Sequence, residues 1–309
     1  MLTLFAVPKP FRGLAATIQH NALASWTHLG DDVRLLLCGD DEGVAEAAAQ
    51  YGATHVPDVA VNEYGTPLVD SVFAKAQALA ETPLLGYVNA DIVFLDDLLP
   101  SLRRVALRRF LLVGRRRGLE LNERLDVHRP GWEQGLRARA RRSGRLDGAI
   151  YIDYFVFPRE SSLGELLPFA IGRPGWDNWL IFQARRRRIP VVDATRSITA
   201  IHQDHGYEHV PDGEGYRWVG PEARANWALA HGGPLYSIFH ATHVLTARGV
   251  RPAFEVEYVR SRWRGRHDLD GGLEQAARVI EPLVVATRPL RRVLRRSNLW
   301  RGLVPTRGR

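Results

Sequence analysis

The stretch Leu84–Asp97, LLGYVNADIVFLDD, decides how the rest of this chain is read. Leu84, Leu85, Tyr87 and Val88 lead into Asn89-Ala90-Asp91, and Ile92, Val93, Phe94 and Leu95 follow. An apolar run of strand length, rich in β-branched and aromatic residues, predicts a strand buried on both faces. A carboxylate in the middle of such a run needs a reason, because an ionised carboxylate is costly to bury unless paired or bound to a metal. Two readings of Asp91 stand open on these residues. In one it caps a turn, with Asn89 bonding to nearby backbone. In the other the strand ends at Asn89, the chain kinks, and Asp91 faces a cleft where it holds a divalent cation through hard oxygen contacts.

Upstream, strand and helix alternate. Residues 2–7 read as a short strand ending in Pro8-Lys9-Pro10, and residues 17–29 as an amphipathic helix. A second strand over 33–39 leads to Asp40-Asp41 and a helix over 44–51; a third strand follows over 54–59. Thr66 fits an N-cap with Pro67 at the first helical position, which predicts a helix to Ala80. This spacing predicts parallel βαβ units in a doubly wound sheet, with ligands bound beyond the carboxyl ends of the strands. Those ends are Pro8-Lys9-Pro10, Gly39-Asp40, the loop over 62–65 and Asn89-Ala90-Asp91. Polar and turn residues collect there.

Downstream, a helix over 98–108 and a strand over 110–115 precede an irregular, charged stretch over 116–145, marked by Pro130-Gly131, that reads as a loop or helical excursion over the sheet. Residues 148–158 (GAIYIDYFVFP) return to strand character. Gly172-Arg173-Pro174-Gly175-Trp176-Asp177-Asn178-Trp179 opens a helix, and 189–194 reads as a further strand. The segment 199–209, TAIHQDHGYEH, is polar and rich in histidine; from about Tyr216 the pattern reads as helical.

With 309 residues, 45% hydrophobic and 25% charged, the chain can bury a full α/β core and is no disordered polymer. The expected division is a catalytic domain over 1–215 and a helical extension over 216–309. No apolar run is long enough to span a bilayer, and the start MLTLFAVPKPF has no basic n-region or small-residue cleavage site, so no signal peptide is expected. The single cysteine, Cys38, excludes an intramolecular disulfide and fits a reducing cytoplasm. Net charge is +8, and the basic residues are nearly all arginine, with lysine only at Lys9 and Lys75. That skew reports a GC-rich genome, yet arginine also favours anionic partners. No nucleic-acid-reading motif accompanies it, so the clusters over 103–117, 137–145 and 185–188 are expected to be solvated faces.

The order strand–Pro-Lys-Pro-Phe, strand–Gly-Asp, Asn-Glu-x-Gly-Thr-Pro, strand–Asn-Ala-Asp, then Gly-Trp-Asp-Asn and a late histidine resembles a GT-A-type glycosyltransferase, nearest to the family 2-like nucleotide-sugar transferases. The resemblance covers about residues 2–209. It implies an α/β, GT-A-like mixed sheet flanked by helices, and transfer of a sugar from a nucleotide-diphosphate sugar with help from Mg²⁺ or Mn²⁺. In that family an Asp-x-Asp motif binds the metal; here Asn89 replaces the first aspartate, leaving Asp91 as the direct ligand. The resemblance places His202 as a second metal ligand and Pro8, Lys9, Pro10, Asp40, Asn89, Ala90, Asp91 and Asn178 around the donor. Asp177 would be the base that deprotonates the acceptor hydroxyl in an inverting enzyme, with Asp153 as second candidate. Each has a structural alternative: His202, His205 and His209 as surface or capping histidines, Asp177 as an N-cap, Asp40 as a turn residue. The chain lacks Gly-x-Gly-x-x-Gly and a Walker loop, which argues against a dinucleotide dehydrogenase or a P-loop NTPase.

In the tail, Arg288, Arg291, Arg292, Arg295, Arg296 and Arg301 alternate with apolar residues, the pattern of a basic amphipathic helix on an anionic membrane surface. It suggests peripheral contact at the inner face of the membrane and an acceptor that is a glycan or lipid-linked. Two rival readings remain. One is a catalytically silent GT-A-like binding protein, kept open by Asn89; the other is a nucleotidyltransferase, which should show a glycine-rich loop after the first strand.

Overall fold

The computed structural model describes residues 1–161, 163, 165–205, 218–230 and 236–265. Residues Met1–Arg262 pack as one compact unit. The expected basic tail and His209 lie outside the described residues.

The strands are β1 (Leu2–Ala6), β2 (Val33–Cys38), β3 (Thr54–Val56), β4 (Leu84–Val88), β5 (Ile92–Phe94), β6 (Leu111–Val113), β7 (Arg117–Leu119), β8 (Arg145–Leu146), β9 (Tyr154–Pro158), β10 (Val191–Asp193), β11 (Ala200–Gln203), β12 (His243–Thr246) and β13 (Gly249–Pro252). The helices are α1 (Gly13–Thr27), α2 (Val44–Tyr51), α3 (Val69–Leu79), α4 (Leu98–Arg103), α5 (Trp132–Ser143), α6 (Trp176–Arg186), α7 (Pro221–Leu229) and α8 (Val256–Arg264). Two sheets result among the described residues. The larger runs β13-β12-β10-β6-β9-β4-β1-β2-β3 and the smaller β5-β11-β7-β8.

The fold is mixed α/β, a large mixed sheet flanked by helices. β4, β1, β2 and β3 are parallel, as the alternation predicts. The antiparallel neighbour of both β4 and β6 is β9, so a purely parallel sheet does not form. Strands β1 and β4, buried on both faces, have the near-continuous apolar sequences such strands require. Gly86 is needed inside β4: a Cβ there would lie 2.7 Å from the Leu4 Cδ2 of β1. The core joins Leu4 and Leu37 of the sheet to Ala22, Leu23 and Trp26 of α1, and Trp26 donates its indole N–H to the Ile92 carbonyl at 2.9 Å.

Several expectations need correction. Thr66 does not cap a helix; α3 begins at Val69, and Val61 pairs with Pro67 in an isolated bridge. The cause is Asn62, whose Oδ1 accepts from the backbone of Tyr64 at 2.9 Å and Thr66 at 3.0 Å and closes the loop before the helix can start. The stretch over 116–145 holds a helix, α5, as the helical alternative expects, but it also supplies β7 and β8, half of the second sheet's strands. Beyond Tyr216, where helices are expected, β12 and β13 add an antiparallel pair to the edge of the large sheet. Among the described residues no helix is long and apolar enough to cross a membrane.

Candidate functional site

The decisive stretch splits between the two sheets. β4 ends at Val88, β5 begins at Ile92, and the turn between them is closed by the Ile92 N–H donating to the Asn89 carbonyl at 3.1 Å. Asp91 therefore sits where the chain leaves the large sheet and enters the small one. The antiparallel register of β5 with β11 sets His202 opposite Ile92, beside Asp91. The Gln203 N–H donates to the Asp91 carbonyl at 3.2 Å and fixes that register. The chain continues from His202 through Asp204 to His205, which turns back onto the same carboxylate.

Three side chains converge in this way. Asp91 Oδ2 lies 3.5 Å from His202 Nε2 and 3.3 Å from His205 Nε2. One ligand atom from each lies within 4.8 Å of the others. The other oxygen, Asp91 Oδ1, is closed off from solvent and has no hydrogen-bond partner. Native folds rarely leave a buried carboxylate oxygen unsatisfied, and a place for a bound ion is one of the standard reasons. On the far side of the ring, His202 Nδ1 stands 3.2 Å from Asp204 Oδ1, the contact that orients a metal-binding imidazole. Gly118 of β7 makes room for it, because a Cβ there would come within 2.7 Å of Asp204 Oδ1.

The electrostatics follow from this packing. Burial alone would push the Asp91 carboxyl up, but His202 and His205 outweigh it and hold the group well below the usual carboxylate range. Burial likewise works against a charged His202, but Asp91 and Asp204 prevail and raise it to about 9. Without a cation the cluster is an ion pair; with one, the metal takes the place of the imidazolium proton. Asp91, His202 and His205 thus fit a divalent ion. Two imidazoles and one carboxylate suit Mn²⁺ or another transition ion better than Mg²⁺, which prefers oxygen.

A second cluster adjoins the first. Arg116, just before β7, donates through Nη1 to both Asp153 oxygens at 2.9 Å and through Nε to Asp147 Oδ2 at 2.9 Å. Its guanidinium lies 5.2 Å from the Tyr151 ring centroid, within cation–π range. Burial disfavours its charge, but Asp153, Asp91 and Asp147 more than restore it. Asn89 donates Nδ2 to Asp153 Oδ1 at 2.7 Å and accepts the Tyr87 hydroxyl at 3.0 Å. Burial raises the Tyr87 hydroxyl far above its ordinary value, and Asp91, Asp153 and Asp177 add to the effect. Asp177, on the first turn of α6, is therefore near enough for its charge to reach this cluster. Trp176 beside it packs edge-on against Tyr87, with ring centroids 5.0 Å apart.

The predicted residues divide accordingly. Asn89, Asp91 and His202 come together, with Ala90 buried in the turn between the first two. Asp177 lies close by, its Oδ1 accepting from the Asn178 N–H at 2.9 Å. Asn178 is buried and donates to the Tyr236 carbonyl at 2.6 Å, so its amide ties α6 to a neighbouring segment. Pro8, Lys9 and Pro10 follow β1 and Asp40 follows β2, at the same sheet edge as Asp91. Asp40 is exposed, with Oδ1 3.9 Å from His55 Nε2. The Lys9 backbone is clamped by Gln19, accepting from its N–H at 2.6 Å and donating to its carbonyl at 2.8 Å.

Arg116 and Asp147 escaped the sequence reading, since nothing separates Arg116 from its neighbours in Gly-Arg-Arg-Arg-Gly. Gln203 escaped too: fully buried, it donates to the Ile18 carbonyl at 2.8 Å and accepts from Asn21 at 2.9 Å. Two polar residues on the inner face of α1, Gln19 and Asn21, were the available signal.

No protein-family model matches the chain, and no curated protein does. Among solved structures it is similar to glucosyl-3-phosphoglycerate synthase from Mycobacterium tuberculosis in complex with Mg²⁺ and uridine diphosphate, at 16% identity over 75% of this chain and 78% of that chain, TM-score 0.42. The phosphoglyceric acid complex of that enzyme compares at 17% identity over 75% and 79%, TM-score 0.41. S. aureus TarS 1–349 compares at 12% identity over 38% and 36%, TM-score 0.29. Likeness of this order assigns no ligand and no residue role to this chain.

Proposed function

We propose that the protein is a metal-assisted glycosyltransferase that uses a nucleotide-diphosphate sugar. The observation that carries this reading is the unsatisfied Asp91 Oδ1 within reach of His202 and His205, at the carboxyl edge of the parallel strands. That edge is where doubly wound sheets hold their ligands. A divalent ion bound there would neutralise charge developing on the departing diphosphate. The protein's own share is positional. Asp91, His202 and His205 hold the ion, Asp204 fixes the His202 ring, and Arg116 contributes positive charge close to Asp91.

Asp177 is the proposed base that takes the acceptor proton. Asp153 is the weaker candidate, because Arg116 engages both its oxygens and Asn89 one of them. Pro8, Lys9, Pro10 and Asp40 are proposed to hold the nucleoside end, from the neighbouring strand ends. The acceptor and any membrane contact stay proposals of the sequence pattern.

One feature favours the silent-binding reading: both ends of the Asn89 amide are already engaged by Asp153 and Tyr87. Activity separates the two readings. Incubation with UDP-, GDP-, ADP- and dTDP-glucose plus Mn²⁺ should release one nucleoside diphosphate, and EDTA should stop the release. Release from none of them, by a protein shown to bind Mn²⁺, would leave the silent reading standing.

A further inference from the structure

Two of the arginine clusters expected to be solvated converge on one cavity. Arg115 and Arg117 flank Arg116 in the chain, while Arg137 and Arg141 come from α5. With Thr195 and Thr199 they line a space of about 100 Å³. Its lining holds no carboxylate. The parallel register pairs Arg117 with Ile201 and Gly118 with His202. Successive residues of a strand point to opposite faces, so Arg117 and His202 stand on opposite sides of the small sheet. The cavity therefore lies behind the Asp91 site.

Its charge is largely uncompensated. Arg137 is paired with Asp96 and Asp97. Arg115 donates only to backbone, to the Asp147 carbonyl at 2.7 Å and the Leu146 carbonyl at 3.4 Å. Arg117 donates to the Gly144 carbonyl at 3.2 Å. Among the described residues no carboxylate lies within ion-pair distance of Arg115, Arg117 or Arg141. Three like charges around one space repel one another unless an anion joins them. The space is roughly three liquid-water volumes, room for one small oxyanion. Guanidinium forks grip such ions bidentately.

We propose that this cavity binds a tetrahedral oxyanion, either inorganic phosphate or the phosphoryl group of a monoester. Arg117 and Arg141 hold it from opposite walls, β7 and α5, and Arg115, already fixed by two carbonyls, completes the cradle. The site is separate from the nucleotide-sugar reading and stands or falls without it.

The test is isothermal titration of the full chain in EDTA at constant ionic strength, with inorganic phosphate and with methyl phosphate. Wild type should bind at least one of them saturably. Arg117→Gln and Arg141→Gln should each weaken binding by about tenfold, as loss of one charged hydrogen bond does. Arg142→Gln removes the same charge from α5 outside the cavity and should leave affinity within about twofold. Arg141 is exposed, so its variant keeps the test decisive should Arg117→Gln fold poorly. Binding of methyl phosphate as tightly as phosphate supports a monoester ligand; binding of phosphate alone supports the free ion. A non-saturating response in wild type, or equal weakening in all three variants, would overturn the proposal.

Discussion

Arg116 and Arg117 are neighbours in the chain, yet they live in opposite electrostatic worlds. Arg116 is half-buried with two buried carboxylates, Asp147 and Asp153, tied to its guanidinium. Arg117 faces the other side of the small sheet, bonds to a carbonyl, and shares its cavity with other cations. What decides the contrast is the period of two in a strand, not the residue type. On one face charge is spent on holding the Asp91 neighbourhood together; on the other it remains available. An arginine count reports neither.

The largest expected effect breaks the compensated side. Arg116→Gln leaves Asp147 and Asp153 short of their partner in a buried place and should cost about 3–5 kcal/mol, read as a fall in urea midpoint. Arg117→Gln should cost less than about 1 kcal/mol, because it removes a charge with no carboxylate partner. Equal losses would erase the contrast drawn between the two residues.

Next comes the ion pair under the proposed metal. His202 is raised from 6.5 to about 9 in the metal-free protein, so its pairing with Asp91 stabilises fully below about pH 6.5 and is lost as pH rises through 9. In EDTA the melting temperature of wild type should fall across that window, by the equivalent of at most about 3 kcal/mol. His202→Asn should abolish the slope. A wild-type curve as flat as the variant's would contradict the pairing.

A smaller effect concerns His205. His205→Ala should weaken Mn²⁺ binding by about 10- to 100-fold and Mg²⁺ binding less, because it removes a nitrogen donor of the kind Mn²⁺ accepts more readily than Mg²⁺. Titration calorimetry with both ions measures this. Equal weakening for both would place His205 beside the ion rather than on it.

Much of this was readable in the residues, for identifiable reasons. The parallel strands announce themselves because burial on both faces forces apolar runs, and Asp91 stood out because it interrupts one. His202 needed the family resemblance as well. The small sheet was illegible: β7 and β8 are three and two residues long, too short for alternation to register. Thr66 misled because Thr-Pro is a helix-start signal, and the side chain of Asn62 competes with it only after the loop has closed. Arg116 could not be separated from Arg115 and Arg117 until the pleat assigned each a face. Beyond Tyr216, β12 is held by non-local pairing with β10, which local propensity does not encode, and β13 follows it as the hairpin partner of β12.

Calorimetric titration of UDP, GDP, dTDP, ADP and CDP, with and without Mn²⁺, into wild type and Asp91→Ala tests whether Asp91 anchors a metal-dependent nucleotide site. One nucleoside diphosphate should bind, only with the metal, and Asp91→Ala should weaken it by at least about 100-fold, the loss of a charged ligand to the ion. Binding that is indifferent to both Mn²⁺ and Asp91, or no binding of any of the five, would contradict it.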